Sequence, residues 1–290
     1  MNDLQTLRAA LIPAEPAQDV VDRSRHRLQN RMLAVPRRRV RPLAIGAGLV
    51  AAAAAAAVVV ATLPGAPAPA PQPQAVAPVV TGQQVLLAAA TVAERAPAGT
   101  GTYWHVRTKV DNSAWEYWTK ADGKVWFRGE KSQGRVVPLA LPMPFRLVAA
   151  DVTLDQLLAL PTEPTTLRDW IANALEHSDA RTSAGPLTAS DREVALLQSL
   201  VSLVSTLPAP PAVRAAAFRA IAAYPGVRAL GAVPGGQGLL LPGDDRLVVD
   251  PATGRVNGTS VLVTGDGAMM HGAEPGSITV SAEWTDRLPK

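Results

Sequence analysis

Residues 43–63 are 21 consecutive residues without a charge, and this stretch constrains the chain more than any other feature. As a helix rising about 1.5 Å per residue it reaches roughly 31 Å, against a bilayer hydrocarbon thickness of about 30 Å. Ten of its residues are Ala, eight are Leu, Ile or Val, two are Gly and one is Thr, so the apolar drive rests on the eight. At roughly −0.3 to −0.6 kcal/mol each, they supply about −2.5 to −5 kcal/mol, enough for insertion with little margin. Arg37, Arg38, Arg39 and Arg41 stand directly before the stretch. By the positive-inside rule this topology signal leaves residues 1–42 in the cytoplasm and places the rest of the chain outside, with the lipid bilayer as a partner. Three A-x-A matches follow, at residues 66–68, 68–70 and 75–77, and each is followed by a proline. Proline is a poor residue at a scissile bond, so the span reads as an uncleaved anchor rather than a signal peptide.

The charge divides along the same line. Residues 1–42 hold nine Arg and no Lys against four acids, whereas the remaining 248 residues hold 19 basic and 20 acidic side chains. The formal excess of +4 therefore belongs to the tail, and the balanced charge of the large domain argues against nucleic-acid binding, which calls for a basic face. Cysteine is absent, which removes disulfides, thiol nucleophiles, Fe–S clusters and Cys-based zinc sites.

Residues 1–36 offer one helical face through Leu4, Leu7 and Leu11 and a second, more polar helix over 17–33. Neither can bury a core alone, so the segment is a tail or a pair of helices that docks a cytoplasmic partner. Residues 64–78 contain six prolines and read as a semi-rigid stretch of about 45 Å, the body of a linker over 64–80. Residues 81–290 form the folded domain. A helix is predicted over 83–95, and strands over 102–110, 115–120 and 124–128, the last two joined at Ala121-Asp122-Gly123. Helices are predicted over 153–160, 166–177, 191–206 and 211–223, the third carrying a Ser190-x-x-Glu193 capping box and the fourth opening on Pro211. Strands return over 227–233, 238–241, 246–250, 255–263 and 278–285, with Pro251-Ala252-Thr253-Gly254 as a tight turn. Strands, then helices, then strands predict an α+β domain with a largely antiparallel sheet.

This order of parts resembles a family of actinobacterial single-span membrane proteins. The matching stretches are residues 4–10, the passage Pro210-Pro211-Ala212-Val213-Arg214-Ala215-Ala216-Ala217-Phe218-Arg219-Ala220 with Pro225-Gly226-Val227, and the hairpin Leu247-Val248-Val249-Asp250-Pro251-Ala252-Thr253-Gly254-Arg255. The resemblance implies an Arg-rich cytoplasmic start, an Ala/Val-rich span, a Pro-rich stalk and an α+β exterior domain, and it leaves activity open. In outline the exterior part is also similar to domains that hold lipid or acyl groups on a curved antiparallel sheet. The Arg-rich tail and single span are similar to membrane-bound anti-sigma factors, whose common His/Cys zinc motif this chain cannot form.

Seven of the twelve aromatic residues lie between Tyr103 and Phe127, at both parities of the predicted strands. A sheet with aromatics on both faces is covered on both or offers one to a ligand. Tyr103, Trp104, His105, Trp115, Tyr117, Trp118 and Trp126 are the candidate ligand-facing residues. Arg214, which shares a helical face with Phe218 and Ile221, either meets an anionic headgroup or snorkels beside the core. No G-x-S-x-G, H-E-x-x-H or G-x-x-x-x-G-K-[ST] motif occurs. Asp151 is expected before a helix, Asp244 and Asp245 in a solvated loop, the glycines of 231–238 in a turn, His271 in a Gly-rich loop, and Asn257-Gly258 in a turn after a strand. No catalytic, metal or cofactor residue is assigned. The expectation is a non-catalytic, membrane-anchored exterior binding or sensing module for a hydrophobic or lipid ligand. A zinc-free transmembrane regulator acting through residues 1–36 is the alternative, and an envelope hydrolase a more remote one.

Overall fold

The computed structural model describes residues 80–182, 185–264, 269–272 and 277–289. The predicted tail, span and all but the last residue of the linker lie outside them. Among the described residues no helix is long and apolar enough to cross a membrane.

Helix α1, Gly82–Arg95, begins at Thr81, whose side chain accepts from the Gln84 amide while the Gln84 side chain accepts from the Thr81 amide. This reciprocal pair satisfies two of the donors that a helix start leaves open. Strands β1 (Tyr103–Val110), β2 (Ser113–Thr119), β3 (Val125–Arg128) and β4 (Val137–Pro138) follow, then the hairpin β5 (Phe145–Leu147) and β6 (Ala150–Val152). Helices α2 (Leu154–Leu158) and α3 (Pro164–Glu176) and the two-residue strands β7 (Arg181–Thr182) and β8 (Gly185–Pro186) lead to α4 (Ala189–Ser205) and α5 (Pro211–Ala222). Strands β9 (Arg228–Val233), β10 (Gly236–Leu240), β11 (Arg246–Asp250), β12 (Arg255–Thr259), β13 (Val261–Val263), β14 (Met269–His271) and β15 (Ile278–Thr285) complete the described order. The expected α+β class with a large antiparallel sheet is therefore observed.

Nine strands form one sheet in the order β4-β3-β2-β1-β15-β12-β11-β10-β9, and every neighbouring pair is antiparallel. Two sequential meanders thus flank β15. One face carries Trp104, Leu239, Leu247, Val249, Val256, Ile278 and Val280 into a single core with the helices. The α5 sequence explains its central place against α1, α3 and α4. Its buried Ala215, Ala216, Ala217 and Ala220 are small enough for close helix approach, while Phe218 and Ile221 fill the remaining volume.

Some local expectations are corrected. The cap of α4 is Thr188 with Asp191, not Ser190 with Glu193: Thr188 Oγ1 accepts from the Asp191 amide at 3.2 Å, and Asp191 accepts from the Thr188 amide at 2.8 Å. Asn257-Gly258 is not a turn but part of β12, where the register against β11 shifts between Val248 and Val249. Asn257 falls at that irregularity and donates to the Gly235 carbonyl at 2.8 Å. The predicted strand over 255–263 breaks at Ser260, whose amide donates back to the Arg246 carbonyl. Only Pro234-Gly235 of the glycine-rich stretch is the turn; its other residues lie in β9 and β10. His271 belongs to β14, paired with Val261 of β13.

Candidate functional site

Strand alternation sorts the candidate aromatics onto two faces. The pairings Trp104↔Thr119, Val106↔Tyr117 and Thr108↔Trp115 put Trp104, Trp115 and Tyr117 on the face that meets the helices. The pairings His105↔Trp118 and Trp118↔Trp126 put His105, Trp118, Trp126 and Tyr103 on the other.

On the helix side the β1–β3 half of the sheet is incompletely covered. A cleft of about 100 Å³ remains there, walled by Trp104, Trp115 and Tyr117 from the sheet and by Phe145, Leu207 and Leu262 from the layer above it. Trp104 is fixed from two sides: its indole Nε1 donates to the Thr206 carbonyl at 2.7 Å, and its ring meets Trp284 edge-on with centroids 5.3 Å apart. Tyr117 lies against Phe127 at 5.2 Å. Met143 and Pro144 also line the cleft, and Leu141, two residues before them, is 76% exposed.

The opposite face carries a polar network instead. The His105 ring stacks on Trp118 with centroids 4.5 Å apart and planes 6° from parallel. The Arg128 guanidinium also lies over the Trp118 ring, 5.3 Å from its centroid, and Tyr103 meets Trp126 edge-on at 5.4 Å. Under this cover Trp118 is only 1% exposed. Glu116 is the hub: His105 Nε2 lies 2.7 Å from Glu116 Oε2, Arg128 Nε donates to Oε1 at 3.1 Å, and Arg107 Nε is 3.5 Å away. Burial pushes the Glu116 carboxyl up, but the hydrogen bonds from Arg128 and His105 and the charges of Arg128 and Arg107 outweigh it. The net effect holds the group below the usual carboxylate range.

No protein-family model, curated protein or solved structure matches the chain.

Other predicted positions separate. Asp151 lies in β6 and pairs with Arg146 at 2.7 Å, whereas Asp155 is in the first turn of α2. Asp244 is exposed as expected, but Asp245 is half-buried. Burial raises its carboxyl, and the Gln198 side chain, 3.4 Å away, opposes that only in part. Arg214 is half-buried and donates to the Gly254 carbonyl at 3.1 Å. Among the described residues no group of three or more His, Asp or Glu could hold a metal ion.

Sequence reasoning missed Glu116 and Arg128, although a signal was present. A hairpin turning at residues 121–123 that pairs Thr119 with Val125 also pairs Glu116 with Arg128. Phe145, Leu207 and Leu262 gave no such signal, because they come from a three-residue strand, a helix-end loop and another three-residue strand.

Proposed function

We propose that the chain is a membrane-anchored exterior module that binds a hydrophobic ligand on its aromatic sheet and does no covalent chemistry on it. The observation that carries this reading is the apolar cleft between Trp104, Trp115, Tyr117 and Phe145. Its volume of about 100 Å³ lies below the roughly 300–1,000 Å³ of drug-sized sites, and nearer an apolar cavity of about 150 Å³ that accepts benzene. It suits a ring or a few methylenes of a longer molecule, with the rest lying along the rim near exposed Leu141. Support for the anchor is the uncharged stretch 43–63 beside Arg37, Arg38, Arg39 and Arg41, and in this reading the described domain lies outside the membrane.

The test is quenching of tryptophan fluorescence in the full chain, held in nanodiscs, by a long-chain alcohol carrying bromine on its tail. Saturable quenching is expected, and Val106→Phe, which narrows the cleft, weakens it. Linear quenching that is the same in both proteins reports bulk partitioning and rejects the reading.

A further inference from the structure

A second, smaller cleft of about 40 Å³ adjoins the first, and Trp104 and Leu207 line both. Its character is different. Arg214 and Arg255 converge on it, together with Ser205, Asn257 and Ser281. Arg128, Arg146, Arg168 and Arg219 each face a carboxylate within 4 Å, but among the described residues neither Arg214 nor Arg255 has one. Arg214 satisfies one donor on the Gly254 carbonyl, and among the described residues its other guanidinium N–H groups have no hydrogen-bond acceptor. Burial, followed by the nearby charge of Arg255, lowers its affinity for its proton. Two cations that approach each other, one of them half-buried, form an arrangement that an anion relieves. Guanidinium groups recognise carboxylate and phosphate oxygens through paired N–H donors. The Ser281 hydroxyl and the second amide N–H of Asn257 add further donors, whereas the Ser205 hydroxyl is already given to the Val201 carbonyl and Asn257 gives its first N–H to the Gly235 carbonyl. The volume matches a head of this size, since about 10–15 Å³ by the same measure admits one water.

We propose that Arg214 and Arg255 form an anion site for the phosphate or carboxylate head of an amphiphile whose apolar part enters the neighbouring cleft past Trp104 and Leu207. The tail half of this inference rests on the hydrophobic-ligand reading above; the anion half stands on the arginine pair.

The experiment titrates the full chain in phosphatidylcholine nanodiscs with octyl phosphate, octanol and inorganic phosphate, each followed by calorimetry. Octyl phosphate is expected to bind about tenfold more tightly than either of the others, the scale of one or two charge-assisted hydrogen bonds. Arg255→Gln, at an exposed position, is expected to remove about that tenfold while leaving octanol binding unchanged, and Arg214→Lys to retain part of it. If octanol binds as tightly as octyl phosphate and Arg255→Gln changes neither, the anion site is rejected and the hydrophobic-ligand reading survives. If inorganic phosphate binds as tightly as octyl phosphate and octanol does not bind, the anion is a free one and the link to the apolar cleft is rejected together with that reading. Absence of binding by all three rejects both.

Discussion

At the scale of single residues, Glu116 concentrates the electrostatics of the sheet's outer face. Its side chain is 13% exposed and binds three basic partners, so removing its charge strands His105 and Arg128 over Trp118. Glu116→Gln is expected to cost about 1–3 kcal/mol at neutral pH. Because the folded carboxyl sits below its ordinary value of 4.5, its contribution is complete above that value and fades as pH falls through the lower, folded value. Chemical denaturation followed from about pH 7 down to about pH 3 should show the native chain losing its advantage over Glu116→Gln below pH 4.5; parallel curves would contradict this role. The aromatic residues were legible in the sequence as a group. Their split between two strand parities was legible too, but which parity meets the helices was not, because that is decided by packing between elements far apart in the chain.

At the scale of elements, the turn from β11 to β12 is held against α1. Asp250 accepts from the Ala252 amide at 2.9 Å and from the Thr253 hydroxyl at 2.7 Å, and Gly254 follows with φ +63°. A Cβ on Gly254 would stand 2.8 Å from the Ala93 nitrogen and 2.9 Å from the Ala89 carbonyl oxygen, both backbone atoms of α1. Gly254→Ala is therefore expected to destabilise by more than about 1 kcal/mol. Gly134, at φ +73° with open space around it, provides the comparison and should lose less on the same change. Urea midpoints of the two variants check this, and equal shifts would refute the close approach. The turn itself was legible, as were the long helices and strands, because prolines and period mark them; the cap of α4 was misplaced by two residues. Strands β4 to β8 were not: pieces of two or three residues carry no period, and only their pairing with a neighbour in the chain defines them.

At the scale of the whole molecule, the proposed anchoring depends on residues 43–63, an uncharged stretch whose apolar margin is small. Ala53 is at its centre, and an arginine there adds about 2.5–3.5 kcal/mol, comparable with the entire drive. The native chain is expected to remain with membranes through alkaline carbonate extraction and Ala53→Arg to be released, whereas equal behaviour would argue against residues 43–63 as the anchor. The order of strands in the sheet has a consequence in time. Among the described strands the two meanders are joined only through β15, which pairs with β1 on one side and β12 on the other and follows both in sequence. Until residues 278–285 arrive, β1 and β12 each present an open edge, and the contacts that close the sheet span most of the domain. Each meander pairs strands that follow one another in the chain, but their joining into one sheet waits for residues 278–285.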